Sequence, residues 1–259
     1  MAFHRDRASK DTRRLSSVMA QAARTADPPS LIDALLRADG EPLRVIAEVK
    51  RRSPSAGDIA ADLDPGSLAS AYEQGGAAAI SVLTDAPHFG GSPEDLMAVR
   101  AASSLPVLRK DFTVCGLDIA DARLMGASGV LLIVAVLSRE ELRSLLELAD
   151  ALGLTALVEV HDAMEQTLAL ELGALLVGVN QRDLATFEID PNRAELLASG
   201  FPSDVVAVAE SGIADAQAAR RCAVLGYDAV LVGEALVRST DPAGTIEAFC
   251  DPGDQGAAA

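Results

Sequence analysis

Short apolar runs alternate along this chain with longer stretches whose apolar residues recur at helical spacing. Eight runs have the length and β-branched content of strands: residues 44–49, 78–83, 105–109, 129–135, 155–160, 174–180, 204–210 and 228–234. Their apolar residues are continuous rather than alternating, which is typical of parallel strands buried on both faces. The pattern therefore predicts eight strands, each followed by a helix.

Helix start and stop signals lie between these runs. Residues 138–153, 161–173 and 214–226 are amphipathic and each ends in glycine, a common C-terminal stop. Ser138 and Glu141 have the spacing of an N-terminal capping box. Eight strand–helix units in one chain predict an α/β fold, a single-domain (β/α)8 barrel. A doubly wound open sheet is the alternative.

The length of 259 residues falls within the range of one-domain barrels, and no linker or composition shift divides the chain. We therefore expect one domain over residues 1–259. Residues 1–43 are predicted to form a helical extension packed on the barrel, with a break at residues 27–29. The barrel is predicted over residues 44–250, and residues 251–259 are predicted to be a frayed tail.

Charge and composition narrow the classes of partner and location. The formal charge is −16, with 22 basic against 38 acidic residues, which argues against binding to nucleic acid or to an anionic membrane surface. No apolar run reaches the roughly 18 residues of a membrane helix, and the charged N-terminus does not resemble a signal peptide. Three cysteines without CxxC spacing predict a reduced, cytoplasmic chain. We expect a monomer or weak homo-oligomer.

Lysine is rare and its positions are informative. It occurs only at Lys10, Lys50 and Lys110, and arginine supplies the other 19 of the 22 basic residues. Lysine can release a proton, whereas arginine stays charged. Lys50 and Lys110 both fall at the ends of predicted strands, where the active sites of (β/α)8 barrels lie. The two positions therefore predict lysines with a chemical role.

Other residues at the strand ends are polar or glycine. They are Glu48, Glu159, Asn180, Arg182, Glu210, Ser211, Gly212, Gly233 and Glu234. Residues two apart on a strand face the same side, so Glu48 and Lys50 are both expected to point into the barrel mouth. Lysines and carboxylates at one rim are typical of acid–base catalysis. A set of ion pairs that only plugs the barrel is the alternative.

Small residues after the seventh and eighth strands predict a phosphate site. Ser211-Gly212 and Gly233 lie where many barrels bind phosphate through backbone N–H groups. Residues 53–57, SPSAG, add hydroxyl groups and a flexible turn after the first strand. The carboxylate of Glu234 is expected to point away from the anion.

Aromatic residues near the strand ends, and the search for metal or nucleotide motifs, complete the description of the candidate site. Phe89 and Phe112 follow the second and third strands and are candidates to contact an apolar ring on the substrate. Nucleotide-binding glycine motifs are absent, and His4, His88 and His161 are scattered without metal-ligand spacing. We therefore expect no metal and no cofactor. The residues alone predict a phosphate-binding barrel with a lysine and carboxylate acid–base set, and do not name its substrate.

A longer set of motifs resembles one family. The segments are IAEVKRRSPSAG (46–57), SVLTDAPHFGGSPEDL (81–96), PVLRKDF (106–112), GVLLIVAVL (129–137), ALVEVHD (156–162), GVNQRDLATFEID (178–190), AESGI (209–213) and LVGEALVR (231–238). Together they are similar to the indole-3-glycerol-phosphate synthases over residues 44 to 240. The N-terminal segment matches only loosely and looks short for the family.

This resemblance implies a substrate and roles for individual residues. The substrate would be a small anionic sugar phosphate, 1-(2-carboxyphenylamino)-1-deoxyribulose 5-phosphate, which is cyclised, decarboxylated and dehydrated. Lys110 matches the general acid of ring closure and Glu159 the base of dehydration. Lys50 matches the lysine that holds the substrate carboxylate, and it is also a candidate acid for the departure of hydroxide. Glu48, Asn180 and Glu210 match the residues that orient these groups.

The resemblance also assigns binding residues. Ser53, Ser211, Gly212 and Gly233 match phosphate ligands, Phe89, Phe112, Leu131 and Leu184 match apolar walls, Arg182 matches a rim cation, and Leu231 and Glu234 complete the predicted substrate-binding set. Two positions depart from the family pattern, since Ala56 stands where lysine is more frequent and Gln181 where asparagine is frequent. Phosphoribosylanthranilate isomerase is the nearest enzymatic alternative, although it uses a cysteine where this chain has Lys50. A barrel that serves only as a scaffold is the alternative from another class.

Overall fold

A closed barrel of eight parallel strands forms the centre of the molecule in a computed structural model that describes residues 1–38, 40–54, 57–183 and 186–250. The strands are β1 (Arg44–Val49), β2 (Ala79–Leu83), β3 (Val107–Lys110), β4 (Gly129–Ile133), β5 (Thr155–Val160), β6 (Leu176–Asn180), β7 (Val206–Glu210) and β8 (Ala229–Val232). Each strand pairs with its neighbour in sequence, and β8 pairs with β1. The predicted barrel is confirmed and the open-sheet alternative is wrong.

Helices precede the barrel and follow its strands. They are α1 (Ala2–Lys10), α2 (Leu15–Ala22), α3 (Leu31–Leu35), α4 (Pro65–Gln74), α5 (Ala86–Phe89), α6 (Pro93–Ala102), α7 (Gly116–Leu124), α8 (Arg139–Ala151), α9 (Ala163–Glu171), α10 (Asn192–Ala198), α11 (Ala216–Val224), α12 (Glu234–Val237) and α13 (Pro242–Cys250). The capping box of Ser138 and Glu141 is present at the start of α8. No helix within the described ranges is long and apolar enough to cross a membrane.

Several strand boundaries differ from the prediction for local reasons. Strand β3 begins at Val107 rather than at residue 105, since Pro106 has no N–H to donate to the sheet. Strand β4 ends at Ile133, because Val134–Val136 forms a 3₁₀ turn. Strand β8 ends at Val232, and Glu234 already begins α12. Apolar character continues through Val134–Val136, so hydrophobicity alone did not mark the end of β4.

The N-terminal segment is helical, as predicted, and the predicted break at residues 27–29 lies between α2 and α3. A second break, between α1 and α2, was not predicted. Leu31 and Leu35 of α3 are fully buried and belong to the same apolar cluster as Ile46 and Leu108 inside the barrel. Helix α3 therefore contributes to the barrel interior, which explains why the extension is apolar at these positions.

Inside the barrel, strands β1, β3, β5, β6 and β7 change from apolar to polar toward their C-terminal ends. Ile46 lies in the interior apolar cluster, and Glu48 is the next residue on that face of β1. Leu157 and Glu159 follow the same spacing on β5. This two-residue period places the charged groups together at one end and leaves the other end of the barrel apolar.

Candidate active site

One cavity of about 420 Å³ lies at the C-terminal ends of the strands. Sixteen of the seventeen predicted site residues line it: Glu48, Lys50, Ser53, Phe89, Lys110, Phe112, Leu131, Glu159, Asn180, Arg182, Glu210, Ser211, Gly212, Leu231, Gly233 and Glu234. The remaining one, Leu184, lies outside the described residues, as does Ala56. The fold thus brings strand ends that are far apart in sequence to one site.

Lys110 lies between two buried carboxylates. Its Nζ is 3.1 Å from Oε2 of Glu210 and 3.6 Å from Oε2 of Glu159. Burial opposes the charged form of Lys110, but Glu210 and Glu159 more than offset this and raise the pKa of its ammonium group. Lys110 therefore carries a proton that it can donate to a basic oxygen.

A second ion pair lies at the end of β1. Nζ of Lys50 is 2.7 Å from Oε1 of Glu48, and both side chains are largely buried. Burial raises the pKa of Glu48, but the positive charges of Lys50 and Lys110 outweigh it, and the net shift is downward. Glu48 is therefore ionised and holds the Lys50 ammonium group at the cavity wall.

Room for these groups is provided by two glycines. A Cβ atom at Gly178 would overlap Oε1 of Glu210. A Cβ atom at Gly233 would overlap Oε1 of Glu48 and lie 3.1 Å from Nζ of Lys50. The lack of a side chain at both positions lets buried charged groups occupy the barrel mouth.

Asn180 connects β6 with the turn after β7. Its Oδ1 accepts hydrogen bonds from the Arg182 backbone N–H at 3.0 Å and from Oγ of Ser211 at 2.8 Å. Ser211 has a positive φ of 64°, which is unusual for a residue other than glycine. Gln181 donates from Nε2 to the Ser211 carbonyl at 2.7 Å. These bonds hold the Ser211 turn, so Gln181 has a structural contact that the sequence did not predict.

The side chain of Glu234 takes part in the helix that follows β8. Its Oε1 accepts a hydrogen bond from Nε of Arg238 at 2.9 Å, and the side chain is half exposed. The Glu234 carboxylate is thus paired with the residue that follows α12, while Glu234 still lines the cavity, so its orientation away from a bound anion stays a prediction.

Sequence reasoning missed several cavity residues. Leu83, Ile133, Phe187 and Ile189 add apolar surface to the wall. Leu83 ends β2, as the predicted strand 78–83 does, so its place at the rim was available from the sequence, whereas Ile133 was hidden because the fourth strand was predicted to run on to residue 135. Phe187 and Ile189 lie in an irregular loop after β6, where no periodic pattern marks them, and the bridge between Arg182 and Ile189 brings this loop over the site.

His161 was also missed as a neighbour of the site. It follows β5 directly, with Nε2 3.5 Å from Oε1 of Glu159 and Nδ1 3.1 Å from Oε2 of Glu165. Burial lowers the pKa of its ring, but Glu165 and Glu159 more than compensate and the net shift is upward. Its position in the motif VEVHD, two residues after a candidate base, was the available signal.

The site has one clear consequence for stability. Burial is the main cause that raises the pKa of Glu210 from 4.5 to about 7; Lys110 opposes the shift and Glu159 adds to it. A carboxyl group with a raised pKa binds its proton more tightly in the folded chain, so its contribution to stability is full below pH 4.5. That contribution is lost as the pH rises through about 7.

We therefore expect Glu210→Gln to flatten the fall in stability between about pH 5 and about pH 8. Urea unfolding of the variant and of the unaltered chain at both pH values measures the difference. Glu171→Gln is the control, because Glu171 is exposed and pairs with Arg139 on the surface. Equal pH dependence in the Glu210 variant and in the unaltered chain would show that burial of this carboxyl has no effect on folding.

These features define a (β/α)8-barrel enzyme whose buried lysines and carboxylates meet at the C-terminal rim, beside an apolar wall. Residues 4–249 match the family model described as indole-3-glycerol phosphate synthase. The chain belongs to this family. The match begins within α1, so it includes the N-terminal segment, which was expected to match only loosely. The alternative family, phosphoribosylanthranilate isomerase, does not apply.

Proteins named indole-3-glycerol phosphate synthase are similar over most of the chain. The one from Mycobacterium ulcerans (strain Agy99) is 52% identical over 225 residues, which cover 87% of this chain and 82% of that protein. The one from Leifsonia xyli subsp. xyli (strain CTCB07) is 52% identical over 237 residues, covering 92% and 90%.

Among solved structures, 3-hexulose-6-phosphate synthase from Salmonella typhimurium has a TM-score of 0.64 and covers 80% of this chain and 97% of that one. Its sequence identity is 17%, so this likeness shows the barrel fold alone.

Proposed function

We propose that this chain converts 1-(2-carboxyphenylamino)-1-deoxyribulose 5-phosphate into indole-3-glycerol phosphate, CO₂ and water, a step of tryptophan biosynthesis. The observation that supports this best is the position of Lys110 between Glu159 and Glu210, in the cavity that also contains the Lys50–Glu48 pair. Two ammonium groups and a nearby carboxylate base match the proton transfers that the reaction needs.

Ring closure is the first step. The ring carbon that bears the carboxylate attacks the sugar ketone, and the electron pair of the carbonyl bond moves to its oxygen. Lys110 donates a proton to this oxygen, which is more basic than an amine as it becomes an alkoxide. Glu210, 3.1 Å from Nζ, orients the ammonium group.

Decarboxylation follows. The bond to the carboxyl carbon breaks, CO₂ leaves, and the electron pair restores the aromatic ring. Lys50 holds the carboxylate beforehand, while Phe89, Phe112, Leu131 and Leu231 line the cavity around the ring. A carboxylate is poorly solvated among apolar side chains, which favours its loss as a neutral gas.

Dehydration completes the reaction. Glu159 accepts a proton from the carbon next to the nitrogen, and hydroxide leaves from the former ketone carbon with a proton from Lys50. Lysines donate two protons and Glu159 accepts one, so each turnover takes one proton from solvent. The substrate carboxylate leaves as neutral CO₂, which accounts for this uptake.

The phosphate group binds at the turns after β7 and β8, through Ser211, Gly212 and Gly233, with Ser53 in the loop after β1. All four line the cavity. Binding at one end of the substrate positions the reacting carbons at the other. A cytoplasmic location and a monomer or weak homo-oligomer remain predictions.

We expect Gly212→Ala to raise KM about tenfold or more, with kcat changed only a few-fold. Gly212 has a φ of +74°, and a Cβ atom there would lie 2.9 Å from Cγ2 of Ile189, so the turn has to move. Steady-state kinetics measures the effect. Gly173→Ala is the matched control, since Gly173 has a φ of +81° with open space around it, outside the cavity. An unchanged KM in the Gly212 variant would place the phosphate elsewhere.

The activity is tested by incubating the purified chain with the anilino-ribulose phosphate and following indole fluorescence. Saturable formation of an indole product is expected. A scaffold protein would give no product, and that result would contradict the proposed function.

A further inference from the structure

Two histidines that are distant in sequence meet beside the cavity. His4 of α1 is 3% exposed, and its ring centroid lies 5.8 Å from that of His88 at the end of α5. Asp85 lies between them, with Oδ1 3.2 Å from Nε2 of His4 and Oδ2 2.8 Å from Nδ1 of His88. The fold thus assembles a His–Asp–His group that the sequence did not predict.

The hydrogen bonding of this group is incomplete. Oδ2 of Asp85 accepts the backbone N–H of His88 at 2.9 Å, so one carboxylate oxygen is satisfied. Nε2 of His4 and Oδ1 of Asp85 are buried and have no hydrogen-bond partner among the described residues, although they face each other. Buried polar atoms without partners are costly, and each calls for an explanation.

We propose that His4, Asp85 and His88 bind a divalent transition-metal ion such as Zn²⁺. One ligand atom from each residue lies within 4.8 Å of the others. Metal–ligand distances of about 2.0–2.1 Å place neighbouring atoms of a tetrahedral site about 3.3 Å apart. The 3.2 Å between His4 and Asp85 matches this edge. His88, whose side chain is 43% exposed, supplies the third ligand atom, which lies within 4.8 Å of the other two.

The donor set decides the kind of ion. Two imidazoles and one carboxylate suit Zn²⁺, Ni²⁺ or Cu²⁺ better than Mg²⁺ or Ca²⁺, which prefer oxygen ligands. Asp111 also acts on His4 with a negative charge, whereas Arg7 and the N-terminal ammonium group oppose a cation. The Arg7 charge is itself paired with Asp118 at 2.6 Å and its side chain is 40% exposed, so its repulsion of a bound cation is screened.

The site joins the N-terminal extension to the cavity wall. The His4 ring lies 4.7 Å from that of Phe112, and both Phe112 and Asp85 line the cavity. An ion bound to His4 and Asp85 would fix α1 against this wall. Metal binding is therefore expected to raise the thermal unfolding temperature, since an ion that binds the folded chain stabilises it.

Calorimetric titration of the tag-free, chelator-treated chain with ZnCl₂ tests the site. We expect saturable binding of one ion at micromolar concentrations, a higher unfolding temperature, and the visible absorption of tetrahedral Co²⁺ when CoCl₂ replaces zinc. His4→Gln and, separately, His88→Gln should each weaken binding about tenfold or more. Because His88 is exposed, its variant keeps the test valid if loss of the buried His4 impairs folding.

His161→Gln is the matched control. His161 also lies against two carboxylates, Glu159 and Glu165, so it forms the competing cluster. Its variant is expected to bind Zn²⁺ as the unaltered chain does. Absence of saturable binding, or binding lost in the His161 variant and kept in the other two, would overturn the proposal. Neither outcome bears on the proposed activity, since none of these measurements involves the substrate.

Discussion

Replacing Lys110 with alanine is expected to lower kcat about a thousandfold while the substrate still binds. Loss of a positioned general acid typically costs about 10² to 10⁴ in rate. The substrate keeps its contacts with Lys50, the apolar wall and the phosphate turns, so its dissociation constant should change far less than kcat. Steady-state kinetics and a substrate-binding titration measure the two effects separately.

One further variant, Lys110→Arg, separates proton donation from positive charge at this position. Lys110→Arg keeps a positive charge between Glu159 and Glu210 but holds its proton too firmly to act as an acid. It should fold and remain slow. Lys10→Ala is the control, because Lys10 is exposed on α1 and pairs with Asp6 on the surface. A Lys110→Ala variant with more than about a tenth of the original kcat would contradict the acid role.

Glu159→Gln is expected to lower overall turnover about a hundredfold or more, because glutamine cannot accept the proton released in dehydration. Ring closure and CO₂ release should slow much less than dehydration does. CO₂ release and indole formation therefore become separable in time. Single-turnover experiments that follow CO₂ and indole in one reaction measure this difference. The exposed Glu171→Gln variant serves as the control.

The structure also predicts how the Glu159 variant folds. Glu210 lies closer to Nζ of Lys110 than Glu159 does, 3.1 Å against 3.6 Å, so the lysine keeps a partner. The free energy of unfolding should therefore fall by less than the roughly 3 to 5 kcal/mol that breaking an isolated buried pair costs. If stability collapses and both chemical steps slow equally, Glu159 is a structural partner and not the base.

The sequence predicted the charged residues at the strand ends, because strand geometry determines where they point. Glu48 and Glu159 could be placed because each ends an apolar run, and the two-residue period of a strand sets its direction. The end of β4 was misplaced, because the 3₁₀ turn at Val134–Val136 is as apolar as the strand before it. Periodicity thus fixes faces more reliably than boundaries.

Contacts that depend on loops and on the extension could not be predicted. Phe187 and Ile189 reach the cavity through an irregular loop, and neither follows a strand directly. His4 meets His88 because α1 packs against the loop after β2, more than eighty positions further along the chain. No local pattern encodes such a meeting, so the three histidines looked scattered.

The most direct test of the proposed function is the stoichiometry of one reaction. Substrate labelled in its carboxyl carbon is incubated with the purified chain, and labelled CO₂ and the indole product are counted together. Equal amounts of CO₂ and indole-3-glycerol phosphate are predicted, formed catalytically and at a strongly reduced rate in Lys110→Arg. Absence of both products at saturating substrate, or an isomerised substrate that retains its carboxyl label, would contradict the proposed function.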